Sequence, residues 1–312
     1  MLDILLYDGF GEHASDGAHY AAELEKAAAG EVPAKHLVQF ARVGVHTIGE
    51  HLGDWPRAKA LAGRLLQGRS PDAETARAWG HFYVAAMLCG DVAGAAEAEI
   101  AFCKGLGADF RAAIVEMKFM LVAALVGCGR AGEAGAIYQG SLELARNLGE
   151  AAPHRTIAVA SNNLATELLE APSRTDAEVA LMRRASAAAH EFWLSCGNWL
   201  NDARADYLEA LVANVLGEPA TAMLHIDRSL SLIGAYGGAP VDETFLHLAR
   251  AHALRLAGDD EGAASALELS DSDAEGWDDE GLSAWYAEER SRVMPDATPA
   301  HADAVDTEDW ED

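Results

Sequence analysis

Basic residues are the scarcest charged class in this chain: 23 Lys and Arg stand against 50 Asp and Glu, for a formal charge of −27 and a pI near 4.6. A surface for nucleic acid or anionic membrane needs clustered Lys and Arg to replace counterions on phosphate, so both classes of partner are excluded as expectations. Cysteine is rarer still. Cys89, Cys103, Cys128 and Cys196 form no CxxC pair, which excludes a disulfide framework and a cysteine-based zinc site. Each lies in an apolar helical pattern and is expected as a small buried thiol in a reduced, cytoplasmic setting. No apolar run approaches the eighteen or so residues of a membrane span. The opening MLDILLYDGF lacks a basic leader and is interrupted by Asp3 and Asp8, so it reads as a segment packed on the first helices rather than an export signal.

Catalytic motifs are also missing. There is no HExxH, no repeated ExxH, no P-loop and no GxGxxG after a strand. His46 and His51, like His247 and His252, are five residues apart, which misses the i, i+4 register of two ligands on one α-helical face. LSCGNW at 194–199 superficially resembles a cysteine-nucleophile segment, but it lies between two helical patterns and reads as a turn. The expectation is therefore a non-enzyme with no cofactor and no metal.

What is abundant is alanine, with 29 glycines at spaced positions and only nine prolines. Alanine-rich stretches such as RRASAAAHEF favour helix over strand. A Gly-Asp pair or its equivalent recurs between apolar helical patterns at Gly53, Gly90, Gly129, Gly217 and Gly258, with gaps of 37, 39, 88 and 41 residues. The long gap is about twice the others and holds a further helix, a Pro172-Ser173 break and another helix. Glycine tolerates the left-handed conformation that ends a helix, and a following Asp caps the next one. Trp79, Phe82, Tyr83 and Ala86 precede Gly90 at helical spacing, and Ala95, Ala96 and Phe102 follow it. Paired alanines are expected to let the returning helix approach closely enough to bury the aromatics.

These residues resemble the tetratricopeptide repeat. Trp79, then the aromatics, Ala86, Gly90-Asp91 and alanine fit its pattern, and the third repeat keeps Leu121, Gly129, Ala134 and Tyr138 with Lys118 in place of tryptophan. The fourth carries NNLA at 162–165, as kinesin light chain-like repeats do, with a longer turn that lacks glycine. The resemblance implies an all-α, right-handed α-solenoid of stacked helix-turn-helix hairpins. The expected organisation is an N-terminal segment and leading helix at 1–33 and about six hairpins at 34–270. A capping helix at 271–295 and a disordered acidic tail at 296–312 follow.

In that family the first helix of each hairpin lines a concave groove that binds a peptide or partner helix. Carried over by position, the groove takes Arg77, His81 and Met87, then Phe119, then Asn162, Asn163 and Thr166. Arg204, Tyr207 and Asn214 follow from the fifth repeat, and His252 and Arg255 from the sixth. Asparagine offers donor and acceptor to an extended backbone, arginine holds carboxylates, and Tyr207 or Phe119 supplies apolar contact. The same residues also fit a plain role as polar bridges between helices. The leading expectation is a protein-binding adaptor; a small-ligand-sensing module acting in trans is the alternative, and an enzyme on a helical scaffold has no motif behind it. An imperfectly capped end leaves homodimerisation open.

Overall fold

The computed structural model describes residues 2–8, 16–107 and 109–293, and every regular element among them is helical. The chain divides into two compact units, one through Gly197 and one from Asn198. The first holds α1 (Gly17–Ala27), α2 (Ala34–Val45), α3 (Trp55–Leu66), α4 (Ala76–Leu88) and α5 (Val92–Leu106). It continues with α6 (Phe110–Gly127), α7 (Ala131–Leu148), α8 (His154–Glu170) and α9 (Asp176–Cys196). The second holds α10 (Trp199–Val215), α11 (Pro219–Tyr236), α12 (Pro240–Leu256), α13 (Asp260–Ala274) and α14 (Glu280–Val293). The acidic tail expected at 296–312 lies outside the described residues.

Each unit is an all-α stack of helical hairpins. In the first, α4 packs on α5, α6 on α7 and α8 on α9, while the first helices α2, α4, α6 and α8 touch one another in succession. In the second, α10 packs on α11 and α12 on α13, with α10, α12 and α14 in succession. That double pattern, partner within the hairpin and like helix in the next, is what a helical repeat requires to bury a continuous core.

The turns follow one local rule. Gly53, Gly90, Gly129, Gly217 and Gly258 all have φ between 69° and 82°, a left-handed conformation that any β-carbon would strain. At four of them the next residue's N–H reaches five residues back to close the helix: Asp91 to Ala86, Arg130 to Leu125, Glu218 to Ala213 and Asp259 to Leu254, at 2.8–2.9 Å. Where that residue is Asp, it also caps the next helix; Asp54, Asp91 and Asp259 accept from the N–H of Arg57, Gly94 and Gly262. The fourth hairpin closes without glycine: Arg174 donates to the terminal carbonyls of Leu168 and Leu169, and Thr175 and Glu178 form a capping box that starts α9.

Packing in the second repeat departs from the expectation: Tyr83 and Phe102 are buried, but Trp79 and Phe82 are only half-buried. Ala95 is buried but Ala96 is exposed, and Ala98 takes the second contact position. Close approach also comes from glycines: a Cβ on Gly80 would lie 2.9 Å from the Phe102 ring, and one on Gly105 would lie 2.9 Å from Ala76. Lys118, at the position where tryptophan was expected, stands over the Tyr83 ring 5.0 Å from its centroid and donates to its hydroxyl. The cysteines differ from expectation too: Cys89, Cys103 and Cys128 are half-buried and Cys196 is exposed, because three of the four sit at or near helix ends.

The opening segment is helical over Ile4–Asp8, with Leu6 fully buried. Its backbone is held from the first helices, Tyr20 donating to the Leu5 carbonyl at 2.6 Å and Gln39 to the Leu6 carbonyl at 3.0 Å.

Candidate functional site

The successive first helices of the N-terminal unit enclose a cavity of about 520 Å³. Four of the residues assigned by repeat position converge on it: Arg77 and His81 from α4, Phe119 from α6 and Asn163 from α8. Helical periodicity explains the convergence, since Arg77 and His81 are four residues apart on one face and neighbouring first helices lie side by side. Met87, Asn162 and Thr166 do not line the cavity; Met87 is exposed near the end of α4, and Asn162 and Thr166 sit on the half-buried flanks of α8.

Charged groups that sequence position did not single out complete the site. Arg77 donates to Glu116 of α6 at 2.6 Å, and Glu116 is itself buried. Residues 46–51, which continue α2, wind as a π-turn. A π-turn brings i and i+5 together, so the separation that disqualifies two ligands on an α-helix instead places His51 Nε2 3.0 Å from His46 Nε2. His46 Nδ1 lies 2.6 Å from Glu50 Oε2 on its other side. His46, Glu50 and Arg42 all face the cavity. Glu50 approaches α6 so closely that a Cβ on Gly127 would stand 3.0 Å from its Oε2, and its charge, after burial, helps push the Cys128 thiol up.

The electrostatics of the cavity are divided. Burial, then the charges of Arg42 and His46, lower the pKa of His81 to about 3, so its imidazole is neutral at pH 7. Glu167 of α8, an exposed side chain at the cavity edge, moves the other way: partial desolvation by its neighbours and the Glu50 carboxylate raise it, with His46 partly opposing. Among the described residues, none donates a hydrogen bond to Glu167. Apolar walls come from Val84, Phe119, Met120 and Leu164.

The remaining assigned residues belong to the C-terminal unit and make internal contacts there. Arg204 of α10 forms a two-pronged pair with Asp242 of α12, at 2.6 and 3.1 Å. Asn214 is buried and donates to the Ala249 carbonyl at 2.9 Å, tying α10 to α12. Tyr207 packs beside Phe245, Leu248 and Tyr286, and its hydroxyl is pushed up by burial and then by Glu289 and Asp242. His252 is lowered by burial and by Arg255, and Arg255 is exposed, with Nη1 3.5 Å from the Val293 carbonyl.

Two further groupings were open to a ligand role. Asp206, Glu209 and His225 bring ligand atoms within 4.8 Å of one another. Arg228 Nε lies 3.2 Å from Asp206 Oδ2 and His225 Nδ1 lies 3.0 Å from Oδ1, so the buried carboxylate is already held by an arginine and an imidazole. Trp193 carries the Arg155 guanidinium 5.4 Å from its ring centroid, and Trp199 stacks on Tyr236 at 5.2 Å.

No protein-family model matches the chain, and no curated protein matches it. Among solved structures, BtubC (BKLC) from P. vanneervenii is similar at a TM-score of 0.43 and 14% identity, over 80% of this chain and 95% of that one. Among the described residues, no helix is long and apolar enough to cross a membrane.

Proposed function

We propose that this protein is a non-catalytic, tetratricopeptide-like scaffold that binds a segment of another protein, with the cavity of the N-terminal unit as the point of engagement. The observation that carries this reading is the meeting of Arg77, His81, Phe119 and Asn163, from three successive first helices, at one cavity. A set of rigid helices presenting mixed apolar and hydrogen-bonding groups loses little conformational entropy when an extended segment docks. Among the described residues of the C-terminal unit, Arg204 and Asn214 are engaged with Asp242 and the Ala249 carbonyl.

Selection of a displayed random-peptide library on the wild-type protein tests this, with Asn163→Trp as the counter-protein. Asn163 is exposed, so the indole fills the cavity mouth without disturbing the core; circular dichroism checks that helicity is kept. Peptides that bind the wild type and lose at least about tenfold on Asn163→Trp support the cavity as the site. Equal binding to both proteins moves the site elsewhere.

The cavity volume favours a second reading. About 520 Å³ falls within the range of sites that hold one small molecule, so a ligand-sensing module is the alternative. A library that yields no binder, together with a co-purifying small molecule lost from Asn163→Trp in native mass spectrometry, would replace the first reading with this one.

A further inference from the structure

We propose that His46 and His51 form a chelating site for a divalent transition ion of square-planar or tetragonal geometry, Cu(II) or Ni(II), held through their two Nε2 atoms. The site belongs to the π-turn of residues 46–51 and stands independently of what the cavity receives.

Two distances in the pair fit one ion. The Nε2 atoms are 3.0 Å apart, and the ring centroids are 4.5 Å apart with the planes at 83°. A straight hydrogen bond at that nitrogen spacing holds two imidazole centroids about 5.3 Å apart, so these rings are folded away from the line joining their nitrogens. Two imidazoles bound at about 90° on an ion, each nitrogen about 2.0–2.1 Å from it, need about 2.9 Å between nitrogens and about 4.5 Å between centroids. A tetrahedral ion needs about 3.3 Å and about 5.2 Å. The spacing therefore favours Cu(II) or Ni(II) over Zn(II).

The neighbours of His46 prepare it as a ligand. Glu50 Oε2 lies 2.6 Å from His46 Nδ1, and a carboxylate only accepts, so the neutral imidazole carries its proton on Nδ1 and presents the Nε2 lone pair. His51 Nε2 is then the donor within the pair, and on chelation its proton moves through water to Nδ1. His51 is exposed and the His46 side chain is 32% exposed, so water reaches the remaining coordination positions.

Backbone and charge act in the same direction. The Leu52 N–H reaches the Thr47 carbonyl, five residues back, at 3.1 Å, and Gly49 packs under the Trp55 ring with no room for a Cβ, so the turn that aligns the pair is built in before an ion arrives. Glu50 sets a carboxylate beside the pair, while Arg42, a turn before His46, has its Nε turned back to Gln39 at 3.1 Å. At longer range the formal charge of −27 draws divalent cations towards the protein. The ligand atoms of Asp206, Glu209 and His225, by contrast, already meet the Arg228 guanidinium.

Metal-free full-length protein is titrated with Ni(II) and with Zn(II) by calorimetry, and its Cu(II) complex is examined by electron paramagnetic resonance. The expected result is one site that takes Ni(II) more tightly than Zn(II), with Cu(II) hyperfine structure from two nitrogens. His51 is exposed, so His51→Gln keeps the fold, as circular dichroism checks, and is expected to weaken Ni(II) at least about tenfold and remove one nitrogen from the Cu(II) spectrum. Glu50→Gln is expected to weaken Ni(II) about tenfold while both nitrogens remain, the mark of a residue that positions a ligand without being one. Absence of binding, a site unchanged by His51→Gln, or a wild-type spectrum with a single nitrogen overturns the proposal. Zn(II) held more tightly than Ni(II) overturns the tetragonal geometry on which it rests.

Discussion

His81 makes a prediction at the scale of one residue. Its folded pKa near 3 lies below the ordinary value of 6.5, so between those limits the unfolded chain takes up a proton that the folded protein refuses. Stability contributed by the neutral imidazole is therefore present above about pH 6.5 and is lost as pH falls towards 3, by at most about 1.4 kcal/mol per pH unit for one proton. Glu167 acts with the opposite sign, because its folded pKa is raised and its penalty is relieved as pH falls through that value. Urea unfolding of wild type and His81→Gln at pH 7, 5 and 4 is expected to show a shallower acid loss in the variant; parallel curves would mean that His81 protonates in the folded state. The cavity lining was partly legible from such single positions. Arg77, His81, Phe119 and Asn163 follow from repeat register, since matching positions on stacked first helices must face one another. His46 and Glu50 did not follow, because the π-turn changes which neighbours meet. Glu116 and Glu167 carry no signal in one sequence: an acidic residue on a helix looks the same whether it faces water or a cavity.

At the scale of the helix, glycine divides into positions that need it and positions that do not. On Gly105 an added Cβ would meet Ala76 Cβ and the Asp72 carbonyl, both at 2.9 Å, and the backbone oxygen cannot rotate away. Gly105→Ala is expected to destabilise by about 1–3 kcal/mol through forced separation of α4 and α5. Gly140 lies inside α7 with nothing within 4 Å of a Cβ, so Gly140→Ala is expected to stabilise by about 0.5–1 kcal/mol through helix propensity. Thermal or urea unfolding of the two variants checks the signs, and the same sign for both would remove the packing argument. Thr175→Ala takes away the capping box that begins α9 and is expected to cost about 1 kcal/mol by the same measurement. These helices were legible because their ends are written locally, in Gly53-Asp54, Gly90-Asp91 and Gly258-Asp259. The turn before α9 was less so, since its closure depends on the Arg174 side chain reaching carbonyls five and six residues back. The choice between Ala96 and Ala98 was also hidden, because helix rotation within a hairpin is set by the facing side chains rather than by spacing alone.

For the whole molecule, the dominant long-range term is self-repulsion. Fifty acidic residues face 23 basic ones, and the close pairs Arg57–Glu25 at 2.7 Å, Arg77–Glu116 at 2.6 Å and Arg290–Asp271 at 2.7 Å neutralise charge only locally. Salt discriminates between these two contributions by distance. Raising ionic strength from about 10 mM to about 0.15 M shortens the screening length from roughly 30 Å to roughly 8 Å, which suppresses repulsion between separated carboxylates. Contacts shorter than 3 Å in partly buried pairs are screened much less. The unfolded chain spreads the same net charge over a larger volume, so screening favours the compact state. The melting temperature is therefore expected to rise with sodium chloride over this range and to level off once repulsion is screened. The opposite trend, a steady fall, would mean that ion pairs outweigh net charge in holding the helices together, and would place the Arg57–Glu25 and Arg290–Asp271 pairs first for removal.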